Sequence, residues 1–361
     1  MIVNKKTNKT GHIVKSQARM DRQIRALERE FPSFMKDYSI FLRGSVALST
    51  HDAYFKDIKF FFEYLIEETD FTNANELSEI TLNDLESLRA RDINYFLGDY
   101  CRRYYKEDED GRVQVFENSN RALSRKKSSL TSLFQFLFRN EQLSEDITTG
   151  FNPIKLPKKD PDSIKRLYED EIRSLLRAVT TGDGLTDRER IYWEKTKLRD
   201  RAIILLFLTY GLRLKELANL DIDSFNFKRM EFTIFRKRDK ESVMPINQTI
   251  YNALTEYIDT ERPSFTTEDA LFLSLQGKRI TERAIRELVK KYTSIAMQTS
   301  RREGYSPHKL RATAASTLIE RGYSIFDVQE LLDHDNVTTT QLYAAHRKGA
   351  KEQIIQEFDE E

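Results

Sequence analysis

The 361-residue chain carries 59 Lys and Arg against 58 Asp and Glu, a formal net charge of +1, so overall charge makes no case for a polyanionic partner and only local charge clusters can. With 39% hydrophobic and 32% charged residues, the composition excludes a disordered chain, and the length suits two domains, each with its own core. A single cysteine, Cys101, excludes an intrachain disulfide and a cysteine-based zinc site.

The first 29 residues hold Lys5, Lys6, Lys9, Lys15, Arg19, Arg22, Arg25 and Arg29 against only Asp21 and Glu28. No apolar core follows the positive charges, so a secretory signal is not expected here, and the single cysteine makes a reducing cytoplasm the expectation. It reads as a basic arm, either a solvated tail or a segment that contacts nucleic-acid phosphates. From Phe31 to Phe138 the pattern is helical almost throughout, with Tyr54, Ile58, Phe61, Phe62 and Leu65 in one stripe and Ile93, Phe96, Leu97 and Tyr100 in another. Glu107 to Asp110, with Gly111, reads as an acidic loop. The helix after it begins with Arg121, Arg125, Lys126 and Lys127 and ends with Leu130, Leu133, Phe134 and Leu137, a pattern that buries one end and offers the other to phosphates.

FNPIKLPKKDP, from Phe151 to Pro161, is the expected linker, because proline stops helices and stiffens connections. The expected organisation is therefore a basic arm at 1–29, a helical domain at 30–150, a linker at 151–165 and a second domain at 166–361. In the second domain a helix is expected from Tyr168 to Val179, then a polar stretch around Gly182 and Gly184. Leu198 to Leu208 forms a strongly apolar helix, too short at AIILLFL to span a bilayer, so no membrane insertion is expected. Leu212 to Leu220 is a further helix carrying Arg213 and Glu216. Glu231–Phe235 and Ser242–Ile246 alternate as antiparallel strands joined by RKRDKE, which holds Lys237 and Lys240. Helices follow at about 248–260 and 281–298, with a short strand, ALFLS, between them.

The last part, Tyr305 to His346, places polar groups at the edges of apolar helices. Ser306 and Pro307 start a helix with His308 and Arg311 on one face and Leu310, Ala314 and Leu318 beneath; Gly322 ends it. Ser324 caps another helix, built on Phe326, Val328, Leu331 and Leu332, that stops near Asp333 and His334. Thr338, Thr339 and Thr340 lead into Leu342 and Tyr343. Taken alone, this stretch permits a metal site or a buried polar network.

With TYGLRLKEL, FRKRDKESVMPI, SPHKLR and LLDHDNVTTTQLYA in this order, the chain resembles the tyrosine site-specific recombinases of the phage-integrase family, from about residue 168 to the C-terminus. Within that family it is most similar to Xer recombinases, in particular the single-recombinase type of streptococci and lactococci, on the strength of RDRAIILL and the N-terminal pattern. Two positions depart from the family pattern: Ala312 where histidine is common after the arginine, and Asp333 where glycine commonly precedes the second histidine.

The resemblance implies a mainly α fold with a small antiparallel β-hairpin or sheet, in a two-domain architecture of core-binding and catalytic domains. It implies metal- and ATP-independent cleavage and rejoining of double-stranded DNA by a homotetramer, for chromosome dimer resolution or for integration and excision of a mobile element. Tyr343 would attack phosphorus and form a 3′-phosphotyrosine; Arg213 and Arg311 would clamp the non-bridging oxygens; His308 would be the base, Lys237 the acid with Lys240 its competitor, and His334 a further phosphate donor. No cofactor is expected, since no Walker motif or acidic metal cluster is present. The C-terminal Ile354, Ile355 and Phe358 would dock on a neighbouring protomer or on their own domain, and a host cell-division protein is a candidate accessory partner. Two rival readings are a DNA-binding regulator without cleavage and a metal-dependent nuclease using His308 and His334.

Overall fold

The computed structural model describes residues 11–107, 110–157, 165–236, 240–264 and 266–333. Two compact units form, one within Gly11–Lys158 and one within the residues from Lys159 onward.

The first unit is built on α1 (Gly11–Glu28), α2 (Met35–Ser45), α3 (Leu48–Glu68), α4 (Leu82–Ser87), α5 (Ala90–Tyr95) and α6 (Asn120–Arg139). Phe55, Ile58, Phe61, Phe62 and Leu65 of α3 are buried against Leu130, Leu133, Phe134 and Leu137 of α6 in one core. Much of the stretch read as a basic arm is α1, which buries Ile13 and Ile24. Arg43 of α2 holds α1 through Asp21 at 2.5 Å and Glu28 at 2.8 Å.

The helical reading of 31–138 missed a hairpin, β1 (Arg103–Glu107) paired antiparallel with β2 (Val113–Glu117) across the acidic loop. Its inner face is set by Tyr104, which stacks on Phe116 at 5.1 Å and lies 4.8 Å from the Phe60 ring. The basic start of α6 is largely engaged within the unit. Lys126 is buried over the Phe60 ring at 4.2 Å and reaches Asp57 at 3.3 Å. Arg125 also pairs with Asp57, and Lys127 donates to the Phe151 and Asn152 carbonyls at 3.2 and 2.9 Å.

The second unit surrounds α9 (Lys197–Tyr210), whose Ala202 to Phe207 are buried on every side. A helix apolar all round belongs at the centre of a unit rather than on its surface. Around it pack α7 (Glu169–Thr181), α8 (Asp187–Trp193), α11 (Gln248–Glu256), α12 (Glu282–Ala296) and α13 (Pro307–Glu320). The helix α8 occupies much of what reads in sequence as a polar stretch. ALFLS contributes only the isolated bridges Asp221 to Ala270 and Leu273 to Arg279 rather than a strand.

A three-stranded antiparallel sheet is ordered β3 (Phe225–Asn226), β4 (Glu231–Phe235), β5 (Glu241–Pro245). Phe232 faces Met244 and Ile234 faces Ser242 across β4 and β5. The remaining elements, α10 (Leu214–Ala218) and α14 (Ile325–Leu332), are short and carry the candidate site.

Candidate active site

Gly211 begins the site. It ends α9 at φ 57°, and a Cβ there would stand 2.4 Å from the Leu332 side chain and 3.5 Å from that of Arg311. Only glycine accepts both that backbone and that approach. The turn delivers Arg213 to the N-cap of α10, where its own N–H donates to Glu216 Oε2 at 2.7 Å and its Nη1 donates to Glu216 Oε1 at 2.8 Å. Glu216 is buried, so its carboxylate is a fixed counter-charge for whatever cations reach it.

Pro307 opens α13 and sets Arg311 one turn into it. Arg311 is 3% exposed, donating from Nη1 to the Gly211 carbonyl at 2.6 Å and from Nη2 to the Leu332 carbonyl. His308, on the same helix, reaches solvent; partial burial, with Lys309, Arg311 and Arg213 nearby, holds its imidazole below the usual value of 6.5. It is therefore neutral at pH 7 and can accept a proton.

The end of α14 is the meeting point. A helix terminus presents carbonyls without intrahelical partners and partial negative charge, which cations satisfy. Arg213 Nη2 donates to the Asp333 carbonyl at 2.8 Å, and Arg236 Nη2 donates to the Leu331 carbonyl at 2.8 Å. With Arg311 on Leu332, arginines from three separate elements hold three successive carbonyls. Asp333 caps the helix at φ 51°, a left-handed conformation that aspartate tolerates better than most side chains. Its carboxylate lies 2.9 Å from Lys240 Nζ and 3.7 Å from Arg213 Nη1. Burial acts to raise its pKa, but Lys240, Arg236 and Arg213 outweigh this and lower it.

Of the six residues named from sequence, Arg213, His308 and Arg311 are thus brought to one place. Lys237, His334 and Tyr343 lie outside the described residues. Arg236 was missed. A signal was present: Phe232 and Ile234 are the buried positions of β4, and Arg236 continues that alternation inward. Among the described residues, no cluster of His, Cys, Asp or Glu is placed to hold a metal ion, and no helix is long and apolar enough to cross a membrane.

Residues 165–349 match the model of the phage integrase family. The chain belongs to this family. Curated relatives of this phage integrase family member include the tyrosine recombinase XerD of Staphylococcus epidermidis, 28% identical over 90% of this chain and 98% of that protein. The tyrosine recombinase XerC of Natranaerobius thermophilus is 30% identical over 89% of this chain and 97% of its own length. Among solved structures, the XerH recombinase bound to a palindromic difH substrate after cleavage shares the fold, with a TM-score of 0.62, 18% identity, and coverage of 90% of this chain and 84% of XerH. A lambda integrase tetramer on a Holliday junction does so at a TM-score of 0.58 and 14% identity, over 87% and 78% of the two chains. The mainly helical fold with small antiparallel sheets is that of tyrosine recombinases, and the protein is an Xer-like tyrosine recombinase, an enzyme that cleaves and rejoins DNA.

Proposed function

We propose that this enzyme recombines DNA at a specific site through a covalent 3′-phosphotyrosyl intermediate on Tyr343, acting as a homotetramer in the resolution of chromosome dimers. The observation that carries the reading is the convergence of Arg213 and Arg311 on the helix end that runs directly into His334. Two guanidinium groups at one place form a planar, permanently charged receptor for phosphoryl oxygens. In this scheme the Tyr343 oxygen attacks phosphorus with His308 accepting its proton, and the bond from phosphorus to the 5′ oxygen breaks as Lys237 supplies a proton. The phosphotyrosine keeps the energy of the broken bond, so rejoining requires no nucleotide hydrolysis. The Lys240–Asp333 ion pair commits Lys240 elsewhere and favours Lys237 as the acid.

The unit within Gly11–Lys158 is the proposed core-binding domain, with residues 151–165 as a strap along the duplex. XerH and lambda integrase are described as DNA-bound, the latter as a tetramer, which supports the assembly on DNA. An accessory host protein remains part of the proposal.

A nicked suicide duplex decides the chemistry. Wild-type protein is expected to become covalently attached, and Tyr343→Phe to form no adduct; the reading is lost if wild type forms none or the variant still does. Footprinting across the host genome decides the role: a single site near the replication terminus supports dimer resolution, and sites at the ends of mobile elements overturn it.

A further inference from the structure

The least expected group in the site is Arg236. It is 4% exposed and directly precedes Lys237, and burying a cation is costly unless it is paired. Its pairing is unusual in what it shares. Nη1 faces Glu216 Oε2 at 3.4 Å, the carboxylate that orients Arg213, and the Leu332 carbonyl at 3.4 Å, the oxygen that receives Arg311. Nη2 reaches the Leu331 carbonyl at 2.8 Å and lies 3.7 Å from Met244 Sδ, while Nε has no partner among the described residues. The Arg236 backbone N–H donates to the Lys240 carbonyl at 2.7 Å, so the two described residues that flank Lys237 in sequence are held together. Both flanking residues are anchored to the end of α14: Arg236 through the Leu331 and Leu332 carbonyls, Lys240 through the Asp333 carboxylate.

We propose that Arg236 is a positioning residue for the leaving-group acid, its guanidinium fixing the end of β4 against the end of α14 so that the lysine next in sequence meets the departing 5′ oxygen. This rests on the reading of Lys237 as that acid. The alternative is a buried cation that merely stabilises the unit. Chemistry separates the two, because an acid matters only if the leaving group needs a proton. When the 5′ bridging oxygen is replaced by sulfur, the same phosphotyrosine bond forms and the bond from phosphorus to sulfur breaks. The thiol that results has a pKa near about 8.5, so it departs as thiolate without a proton donor.

The test uses the full chain, a nicked duplex carrying the footprinted site, and single-turnover adduct formation with oxygen or sulfur at the 5′ bridge. Misplacing a catalytic group by an ångström costs roughly 100-fold. Arg236→Gln is expected to lose about that factor on the oxygen substrate, keep wild-type DNA affinity, and return to within several-fold of wild type on sulfur. Arg236→Lys, which keeps the charge but cannot fork to two carbonyls and a carboxylate, is expected to show a smaller loss with the same sulfur rescue, and it serves if the glutamine variant does not fold. Lys237→Ala is the reference. If it is rescued by sulfur and the Arg236 variants are not, or if they cleave the oxygen substrate at the wild-type rate, the positioning role is wrong. If Lys237→Ala itself is not rescued, the reading of Lys237 is wrong and the proposal falls with it.

Discussion

Asp333 and Lys240 form an ion pair of 2.9 Å across the mouth of the site, from a residue at φ 51° to a side chain that is 69% exposed. The second carboxylate oxygen faces Arg213 at 3.7 Å, so a negative charge already stands beside the arginine proposed to receive the scissile phosphate. Two unit charges 4 Å apart interact by up to about 4 kcal/mol at an effective dielectric near 20, and solvent at this exposed site reduces that strongly. Asp333→Asn keeps a side chain suited to the left-handed backbone and removes the charge. It is expected to tighten DNA binding by roughly 3- to 10-fold at low salt, with the gain fading as salt rises. Fluorescence anisotropy at two salt concentrations measures this, and weaker binding by the variant would show that the carboxylate assists the phosphate instead.

Arg213 and Arg311 are chemically alike but differently embedded. Arg311 is 3% exposed and satisfies two buried carbonyls, whereas the Arg213 side chain is 33% exposed. Removing either is expected to lower cleavage at least about 100-fold, in the manner of a lost preorganised donor. Arg311→Ala should also unfold the second unit more easily, by about 1–3 kcal/mol, since it strands the buried Gly211 carbonyl and leaves the Leu332 carbonyl only the longer Arg236 contact. Thermal denaturation beside adduct assays tests the contrast; equal melting temperatures for the two variants would refute it.

His308 gives the reaction a pH signature. Burial and the surrounding cations favour its neutral form, so the unfolded chain binds the extra proton more readily and the native state disfavours it. Cleavage should therefore persist as pH falls past 6.5 and decline only below it. Any stability that rests on neutral His308 is present above 6.5 and lost on acidification. A pH profile of adduct formation in wild type and His308→Gln checks this: the acid limb should lie below pH 6.5 and vanish in the variant.

Acid stability of the second unit has a separate source. Burial would raise the Glu189 carboxyl, but hydrogen bonds from Arg301 and the Thr186 backbone hold it at about 2. The pair spans 2.9 Å, with side chains 25% and 39% exposed. Its contribution is present above pH 4.5, the ordinary glutamate value, and is lost as pH falls toward 2. After allowance for screening, Arg301→Met is expected to cost about 1–2 kcal/mol at pH 7 and little at pH 2, by denaturant titration at both.

Local spacing by itself determined most of the elements, and the resemblance of four short boxes to a known family gave the family. The apolar run around Leu205, the alternation in β4, the Ser306–Pro307 start and the Ser324 cap each act within a few residues, where side-chain periodicity and capping chemistry decide. Those same patterns placed Arg213, His308 and Arg311 on helices, and the resemblance singled them out as candidates. The hairpin β1–β2 escaped because its strands are five residues long and sit between helices, and all five positions of β2 are exposed, so no buried alternation marks it. What only the tertiary structure decided is the arrangement at the end of α14. Arg213, Arg236 and Arg311 reach the carbonyls of Asp333, Leu331 and Leu332 from separate elements, over separations of 120, 95 and 21 residues. No local pattern encodes that meeting, because it requires Gly211 to admit Leu332, β4 to turn an arginine inward, and one buried glutamate to serve two guanidinium groups.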